Sequence, residues 1–327
     1  MAAEAPLIEL RGLAVRFPAA AGTVTAVAGV DLELAPGASL GIVGESGSGK
    51  TQLALAMAGL TAPGALLGGS VRYRGEELVG AAPRRLRQLR GARIGFVFQD
   101  PQAALAPHLT VGTQLTEALR AHERLPRAVA RARSLEMLAR VQVPDPAMRL
   151  AQYPHQLSGG LRQRVLIAIA LMAGPELVIA DEPTTALDVT VEAGILALFA
   201  SLRETLGMAL VLISHDLAVV GGLCESIAVM YAGRVVESGA TRAVLTAPRH
   251  PYTHALAAAV PRLEAPPAAR LVTIPGAPPE PGSRAPGCAF APRCPRAVAR
   301  CTAERPELVP LATGAVACHL PLGTGGG

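Results

Sequence analysis

At 327 residues the chain has room for one large domain with an appendage, or for two modest domains. Half of it is apolar, but aromatics make up only 3% and Trp is absent, so its core must be built from Ala, Leu and Val. A net charge of +5 is mildly basic, and the cluster Arg84, Arg85, Arg87, Arg90 and Arg93 has few interleaved aromatics, which argues for a solvated face and against a nucleic-acid groove. No apolar run reaches the roughly 18 residues of a membrane span. The N-terminus, with Glu4 and Glu9, lacks the basic-then-apolar layout of a signal peptide. A cytosolic protein is expected, attached to a membrane through partners if at all. Its five cysteines then read as ligands or core residues rather than disulfides.

In chain order, residues 7–17 and 25–34 alternate as strands do. Phe17 closes the first of them, where its ring could stack on a purine base or simply join the core. An apolar strand (Leu40, Ile42, Val43) then leads through Gly44-Glu45-Ser46-Gly47-Ser48-Gly49-Lys50-Thr51 into a helix over 52–58. This is Gly-x-x-x-x-Gly-Lys-Ser/Thr in its strand-to-helix setting, a phosphate-binding loop. Its glycines let successive N–H groups turn toward an anion, and the helix adds its positive end. Lys50 would reach the β- and γ-phosphates and Thr51 would ligate Mg²⁺. The chain is expected to bind a nucleoside triphosphate.

A strand over 69–75 and a clearer one over 94–98 follow, the second ending at Gln99. A glutamine at a strand's C-terminal end lies where ligands bind in α/β folds; it could coordinate Mg²⁺, hold the attacking water, or do neither. Residues 110–149 read as a helical insertion, with Leu115 and Leu119, then Ala130, Leu135, Leu138 and Val141, marking apolar stripes. Ser158 can cap the helix behind it, and Gly159 and Gly160 leave the first N–H groups of that helix bare. The strand 177–181 ends in Asp181 and Glu182. Asp181 suits the Mg²⁺ site, and Glu182, pointing differently, suits a general base. Asp188 precedes a helix over 191–206. A buried strand over 208–213 leads to His215, placed to hydrogen-bond a γ-phosphate. Strands over 226–231 and 234–237 complete the sheet, and a short helix over 255–260 leads into a proline tract at Pro261, Pro266, Pro267, Pro275, Pro278, Pro279, Pro281 and Pro286.

Taken together and in order, the phosphate loop, Gln99, Leu157-Ser158-Gly159-Gly160, Asp181-Glu182, Asp188 and His215 resemble the ATP-binding subunits of ABC transporters. The resemblance implies an α/β fold: an ABC-type P-loop ATPase domain over 1–248, with a RecA-like core, an antiparallel β subdomain and a helical subdomain at about 101–164. Residues 249–327 would form a Pro-rich linker and a Cys-rich C-terminal extension. It also implies Phe17 at the adenine, Gln99 as the loop linking the Mg²⁺ site to membrane subunits, and Ser158 to Gly160 as the signature. Asp181 and Glu182 become the Walker B aspartate and the general base, Asp188 the D-loop residue and His215 the switch histidine. Family members close as head-to-tail pairs, so Ser158 would face ATP held by the partner's phosphate loop.

A narrower resemblance, to dipeptide/oligopeptide importer ATPases, spans nearly the whole chain. It rests on Gly44 to Lys50, Phe98-Gln99-Asp100-Pro101, Tyr153 to Gly160 with Arg162-Gln163-Arg164, His250-Pro251-Tyr252-Thr253 and Gly287 to Pro295. The chain departs from that pattern at Ala106, where the family usually has Asn, and more mildly at Gln52 and Leu161. The resemblance implies peptide uptake at the cytoplasmic face of the inner membrane. The partners implied are two permease subunits, a second and commonly different ATPase subunit and, indirectly, an extracytoplasmic solute-binding protein. The competing readings are an importer of another small solute such as nickel, and a soluble ABC-type ATPase acting on nucleic acid through a zinc module.

Cys288, Cys294, Cys301 and Cys318 are separated by five, six and sixteen residues, without the tight knuckles usual for structural zinc. Four thiolates suit a [4Fe–4S] cluster as well as zinc, and the resemblance points to the cluster. With few apolar residues among its prolines, the tail is expected to lack a core of its own, and a metal centre would crosslink it. Cys224, outside this group, is expected to pack as a small apolar residue.

Overall fold

A computed structural model describes residues 5–20, 22–185, 187–259, 273–280 and 286–323. Glu4, Val260 (the end of the helix expected over 255–260), Pro261, Pro266, Pro267 and Pro281, invoked above, lie outside the described residues. The strands are β1 (Ile8–Ala19), β2 (Gly22–Leu34), β3 (Ser39–Val43), β4 (Leu66–Tyr73), β5 (Glu76–Glu77), β6 (Ile94–Val97), β7 (Leu177–Asp181), β8 (Ala209–Ser214), β9 (Ser226–Tyr231), β10 (Arg234–Ala240), β11 (Val309–Leu311) and β12 (Gly314–Val316). The helices are α1 (Lys50–Met57), α2 (Pro83–Leu89), α3 (Pro101–Ala104), α4 (Val111–Arg120), α5 (Arg127–Arg140), α6 (Pro146–Arg149), α7 (Gly159–Leu171), α8 (Val189–Leu206), α9 (Leu217–Leu223), α10 (Thr241–Thr246), α11 (Pro251–Ala258) and α12 (Ala299–Ala303).

The chain divides into two compact units. The first is Gly80–Leu212 with Leu34–Ala38 and the described residues through Leu7. In it β6 and β7 pair in parallel, Ile94 opposite Leu177, and every residue of β7 is buried. That continuous apolar run is what a parallel strand covered on both faces requires. The helical insertion follows its stripes. Val111, Leu115 and Leu119 of α4 are buried, as are Ala130, Ser134 and Leu138 of α5. The Thr110 hydroxyl accepts the Thr113 N–H and so caps α4. On α2, Arg84, Arg85 and Arg87 are exposed, the solvated face their spacing suggested.

The second unit is Ile8–Glu33, Ser39–Val79 and the chain from Ile213 onward. It holds an antiparallel sheet in the order β2-β1-β4-β5. Its other strands run β11-β12-β10-β9-β3, with β3 parallel to β9 and β9 antiparallel to β10. β3 is buried along its whole length, which anchors the loop that leaves its C-terminal end.

The tail, expected to lack a core of its own, shares one with the rest of this unit. β12 extends the sheet beside β10, and Phe290 is buried against the rings of Tyr231 and Tyr252, with centroids 5.4 Å away in each case. Neither the short strands nor α9, α10 and α12 announce themselves by periodicity, because each is seven residues or fewer. Cys224 ends α9 and is buried, as expected.

Candidate functional site

The phosphate loop leaves β3 and ends in α1, whose N-cap is Gly49 in the left-handed region at φ 97° with no side-chain cap. The first turn of α1 carries no acidic residue, so no carboxylate of that turn offsets the helix's positive end. A side chain is excluded at two points. A Cβ on Gly49 would meet the Ala26 carbonyl oxygen at 2.2 Å, and one on Gly44 would meet that of Met230 at 2.2 Å. The Ser48 hydroxyl is buried without a hydrogen-bond partner, a donor in want of an acceptor. Lys50 is 4% exposed, and its ammonium donates to the carbonyls of Gly44 (2.8 Å) and Glu45 (3.0 Å). Ser46, Gly47 and Thr51 are exposed. This cradle fits a polyphosphate. Phe17 is half-buried near the end of β1.

Glu45 is held from a distance. Its N–H donates to the Tyr252 hydroxyl (2.8 Å), and its carboxylate receives both Nη1 (2.6 Å) and Nη2 (3.0 Å) of Arg293. Nη1 also donates to the Tyr231 hydroxyl at 3.1 Å. Burial pushes both tyrosine hydroxyls above their ordinary pKa, so they stay protonated. Sequence reasoning did not find these three residues as neighbours of the loop. Arg293 lies 248 positions from Glu45, and no local pattern encodes that pairing.

In the other unit, Asp181 is 3% exposed at the end of β7. Glu182 follows in the left-handed region at φ 45°, an uncommon conformation for a residue with a side chain and one that concentrates at functional sites. Its Oε2 accepts from Gln99 Nε2 (3.1 Å) and from the Thr185 hydroxyl (3.0 Å). Gln99 and Glu182, distant in sequence, are thus brought together, and Thr185 is an addition that the sequence reading lacked. The buried carboxylate of Asp181 at the strand end and the amide of Gln99, which meets the neighbouring Glu182, are oxygen donors of the kind Mg²⁺ takes.

Ser158 caps α7, its hydroxyl accepting the Leu161 N–H at 3.4 Å, while Ser158 and Gly159 are exposed. A Cβ on Gly160 would meet Cγ1 of Val191 at 2.7 Å, so the helix packs closely there. Asp188 caps α8 by accepting the Val191 N–H at 2.9 Å, a structural task compatible with a further one. In the second unit, His215 is exposed between Ser214, which accepts the Asp216 N–H at 2.9 Å, and Asp216, which caps α9.

Cys288, Cys294, Cys301 and Cys318 line one small cavity together with Phe290 and His319. Burial pushes the thiols of Cys288 and Cys318 up. Against it work the backbone N–H groups of Phe290 and Ala291 at Cys288 and of Leu320 at Cys318, which favour thiolate. Among the described residues, no group of three or more His, Cys, Asp or Glu side chains is arranged to hold a metal ion.

Residues 27–185 match the ABC transporter family, and residues 236–301 match the oligopeptide/dipeptide transporter C-terminal region. A dimeric bacterial ABC transporter cassette superposes with a TM-score of 0.65 at 30% identity, covering 72% of this chain and 99% of its own. The same values hold for a post-hydrolysis cassette dimer bound to ADP and Pi. The chain belongs to the ABC transporter family, with the mixed α/β fold of its ATPase cassettes.

More particularly, it is 49% identical over 318 residues to a Brucella abortus protein named as a peptide import ATP-binding protein, which covers 97% of this chain and 95% of the relative. It is 45% identical to the oligopeptide transport ATP-binding protein OppD of Salmonella typhimurium, covering 97% of this chain and 94% of that one. It is also 46% identical to the protein of the same name in Escherichia coli, covering 92% and 89%. Among the described residues no helix is long and apolar enough to cross a membrane.

Proposed function

We propose that this chain is the ATP-hydrolysing subunit of an importer that takes up di- or oligopeptides through two membrane permease subunits. One observation carries the ATP chemistry: the Gly44–Thr51 loop meets the uncapped N-terminus of α1, with Lys50 folded against it. The cargo class is supported by 45–49% identity, over nearly the full chain, to relatives named for peptide import and oligopeptide transport.

In this reading the loop N–H groups and Lys50 bind the phosphates, and Phe17 stacks on the adenine. Thr51, Asp181 and Gln99 would hold Mg²⁺, which when bound neutralises charge on the phosphate oxygens. Glu182 orients and polarises the attacking water as general base, with Gln99 and Thr185 fixing its carboxylate. His215 hydrogen-bonds the γ-phosphate. Ser158, Gly159 and Gly160 present the N-terminus of α7 to nucleotide held by a second ATPase subunit, with Asp188 beside that junction. The dimeric cassettes among the similar structures support such pairing. The second subunit is a different ATPase, a solute-binding protein outside the membrane delivers the cargo, and the chain works at the cytoplasmic face of the inner membrane. The ATPase domain runs over 1–248, with its helical part at about 101–164, and 249–327 is its extension.

For the tail we propose a [4Fe–4S] cluster on Cys288, Cys294, Cys301 and Cys318. Four thiols on one cavity, with backbone N–H groups aimed at two of the sulfurs, support a multi-iron centre. Anaerobic purification followed by iron, sulfide and zinc analysis tests this; stoichiometric zinc without iron overturns it. For the main reading, Lys50→Ala is expected to abolish most ATP binding, and labelled-peptide uptake by cells is expected to depend on this chain. Uptake that persists without it, while nickel uptake stops, would replace the cargo assignment.

A further inference from the structure

The guanidinium of Arg293 is the most completely used polar group of the tail. Its side chain is 5% exposed, and all five of its N–H donors are engaged. Nε donates to the Pro275 carbonyl (2.9 Å), Nη1 to Glu45 Oε2 and the Tyr231 hydroxyl, and Nη2 to Glu45 Oε1 and the Ile274 carbonyl (3.4 Å). The rings of Tyr231 and Phe290 lie 5.9 Å from its central carbon. This is the bidentate geometry in which Arg is most specific, made where water has little access.

Its target is the second residue of the phosphate loop. With Arg293 on the carboxylate, Tyr252 on the N–H, and Lys50 and the Ser48 N–H (3.2 Å) on the carbonyl, every polar group of Glu45 has a partner. The two carbonyl contacts are made from within the loop. Lys50 must turn to the phosphates when nucleotide enters, which leaves Arg293 and Tyr252 as the side chains that hold Glu45 from outside the loop. A Gly-rich loop held in its binding conformation spares the ligand the cost of ordering it. A bolt used only to close the tail onto the core would have no reason to end on the nucleotide loop.

We propose that Arg293 is a positioning residue of the phosphate loop. From the Cys-bearing segment it holds Glu45 so that the loop's N–H groups face the phosphates, and nucleotide affinity therefore depends on the state of the tail. The inference rests on reading Gly44–Thr51 as the ATP phosphate site, and the test separates the two.

ATP affinity is measured on the purified full-length chain with a fluorescent ATP analogue, and kcat and KM on the complete transporter. Arg293→Met is expected to weaken ATP binding and raise KM about ten-fold while kcat at saturating ATP stays within about two-fold; Arg293→Lys should fall between it and wild type. Glu45→Gln should lose a similar factor in affinity, and the double variant should bind no worse than the weaker single. A thermal unfolding scan identifies any variant that fails to fold. Should Arg293→Met be one, Glu45→Gln, which leaves the tail intact, decides the matter. Wild-type affinity in either folded single variant, or losses that multiply in the double, overturns the proposal. Lys50→Ala in the same assay is the control. If it too binds ATP normally, the phosphate-loop reading has failed; if it alone loses binding, only the role of Arg293 has.

Discussion

The phosphate loop and the carboxylate end of β7 are built by opposite strategies. At β7 most of the support is local. Thr185, three residues on, holds Glu182, Asp188 and Ser158 cap the helices that follow them, and Gln99 arrives from far away. The loop closes on itself only through its carbonyls, which accept from Lys50 and the Ser48 N–H, and its one carboxylate is held from outside. Glu45 is gripped by Arg293 and Tyr252, while the carbonyls of Ala26 and Met230 leave no space for a side chain at Gly49 and Gly44. The catalytic carboxylate should therefore tolerate change in the tail, whereas the loop should not.

The largest effect that tests this contrast is at Glu182. Glu182→Gln keeps the shape and the Gln99 and Thr185 neighbours but removes the base, so ATP should still bind. Turnover should fall on the order of 10²–10⁴-fold, the usual worth of a general base. The paired measurement is ATP affinity with single-turnover hydrolysis. Hydrolysis at the wild-type rate in Glu182→Gln would sink the general-base assignment, and lost affinity would mean that the two regions are less separate than their contacts suggest.

How much of this was legible in the sequence follows the same division. The phosphate loop, Asp181-Glu182 and the caps at Ser158 and Asp188 depend on spacing over fewer than ten residues, and local chemistry exposes them. The strand and helix types of β3, β6, β7, β8 and α8 were likewise readable, because long apolar runs have few alternatives. Arg293 was not, although it stands in the quoted Gly287 to Pro295 motif. Its meaning comes from a partner 248 residues away, and nothing local distinguishes it from a surface arginine. The packing of the tail on the rest of its unit was hidden for a related reason. Phe290 is one aromatic among prolines, and its pocket is supplied by Tyr231 and Tyr252.

Phe290 gives the next effect in size. It is 2% exposed, and truncation would leave a hole between Tyr231, Tyr252 and the cysteine-lined cavity. Phe290→Ala should cost about 3–5 kcal/mol, the range for a buried Phe. Urea unfolding with separate probes on the tail and on the helical insertion would check it. A loss confined to the tail probe, with the insertion unchanged, sharpens the division between the units, while equal losses everywhere would erase it.

The third effect is on pH dependence. His250 Nδ1 accepts the Tyr252 N–H at 3.0 Å, so that nitrogen cannot carry a proton in the fold. Burial lowers its pKa from 6.5 to about 4. Between those values the unfolded chain binds the extra proton, so stability is fully present above pH 6.5, declines as pH falls, and levels off below about pH 4. At 1.36 kcal/mol per pKa unit, the total is on the order of 3 kcal/mol. Glu237 accepts the His250 N–H, and its pKa is raised, chiefly by burial, so it acts in the opposite sense over its own range. The measurement is therefore a difference: unfolding free energy against pH for wild type and His250→Asn, which retains a capping acceptor. Parallel curves from pH 7 to pH 4 would show that His250 does not titrate as its surroundings require.

The smallest effect bears most directly on the loop. Tyr252→Phe removes only the hydroxyl that accepts the Glu45 N–H; the ring, fully buried beside Tyr231 and Phe290, stays. An N–H left without its acceptor costs about 1 kcal/mol. What matters is where that cost is felt. If α11 merely packs against the loop, the loss is one of stability, and nucleotide binds as before once the chain has folded. If the loop is held from outside, the freed N–H admits other loop conformations, and part of the loss reappears as weaker ATP binding, by a factor of about two to five. Arg293 remains in the variant, so the loop keeps its carboxylate anchor and the effect should stay below that of Arg293→Met. Titrating ATP into Tyr252→Phe at a temperature where it is fully folded separates these outcomes. Unchanged affinity beside a lowered unfolding midpoint would leave Arg293 as the one distant side chain that positions Glu45.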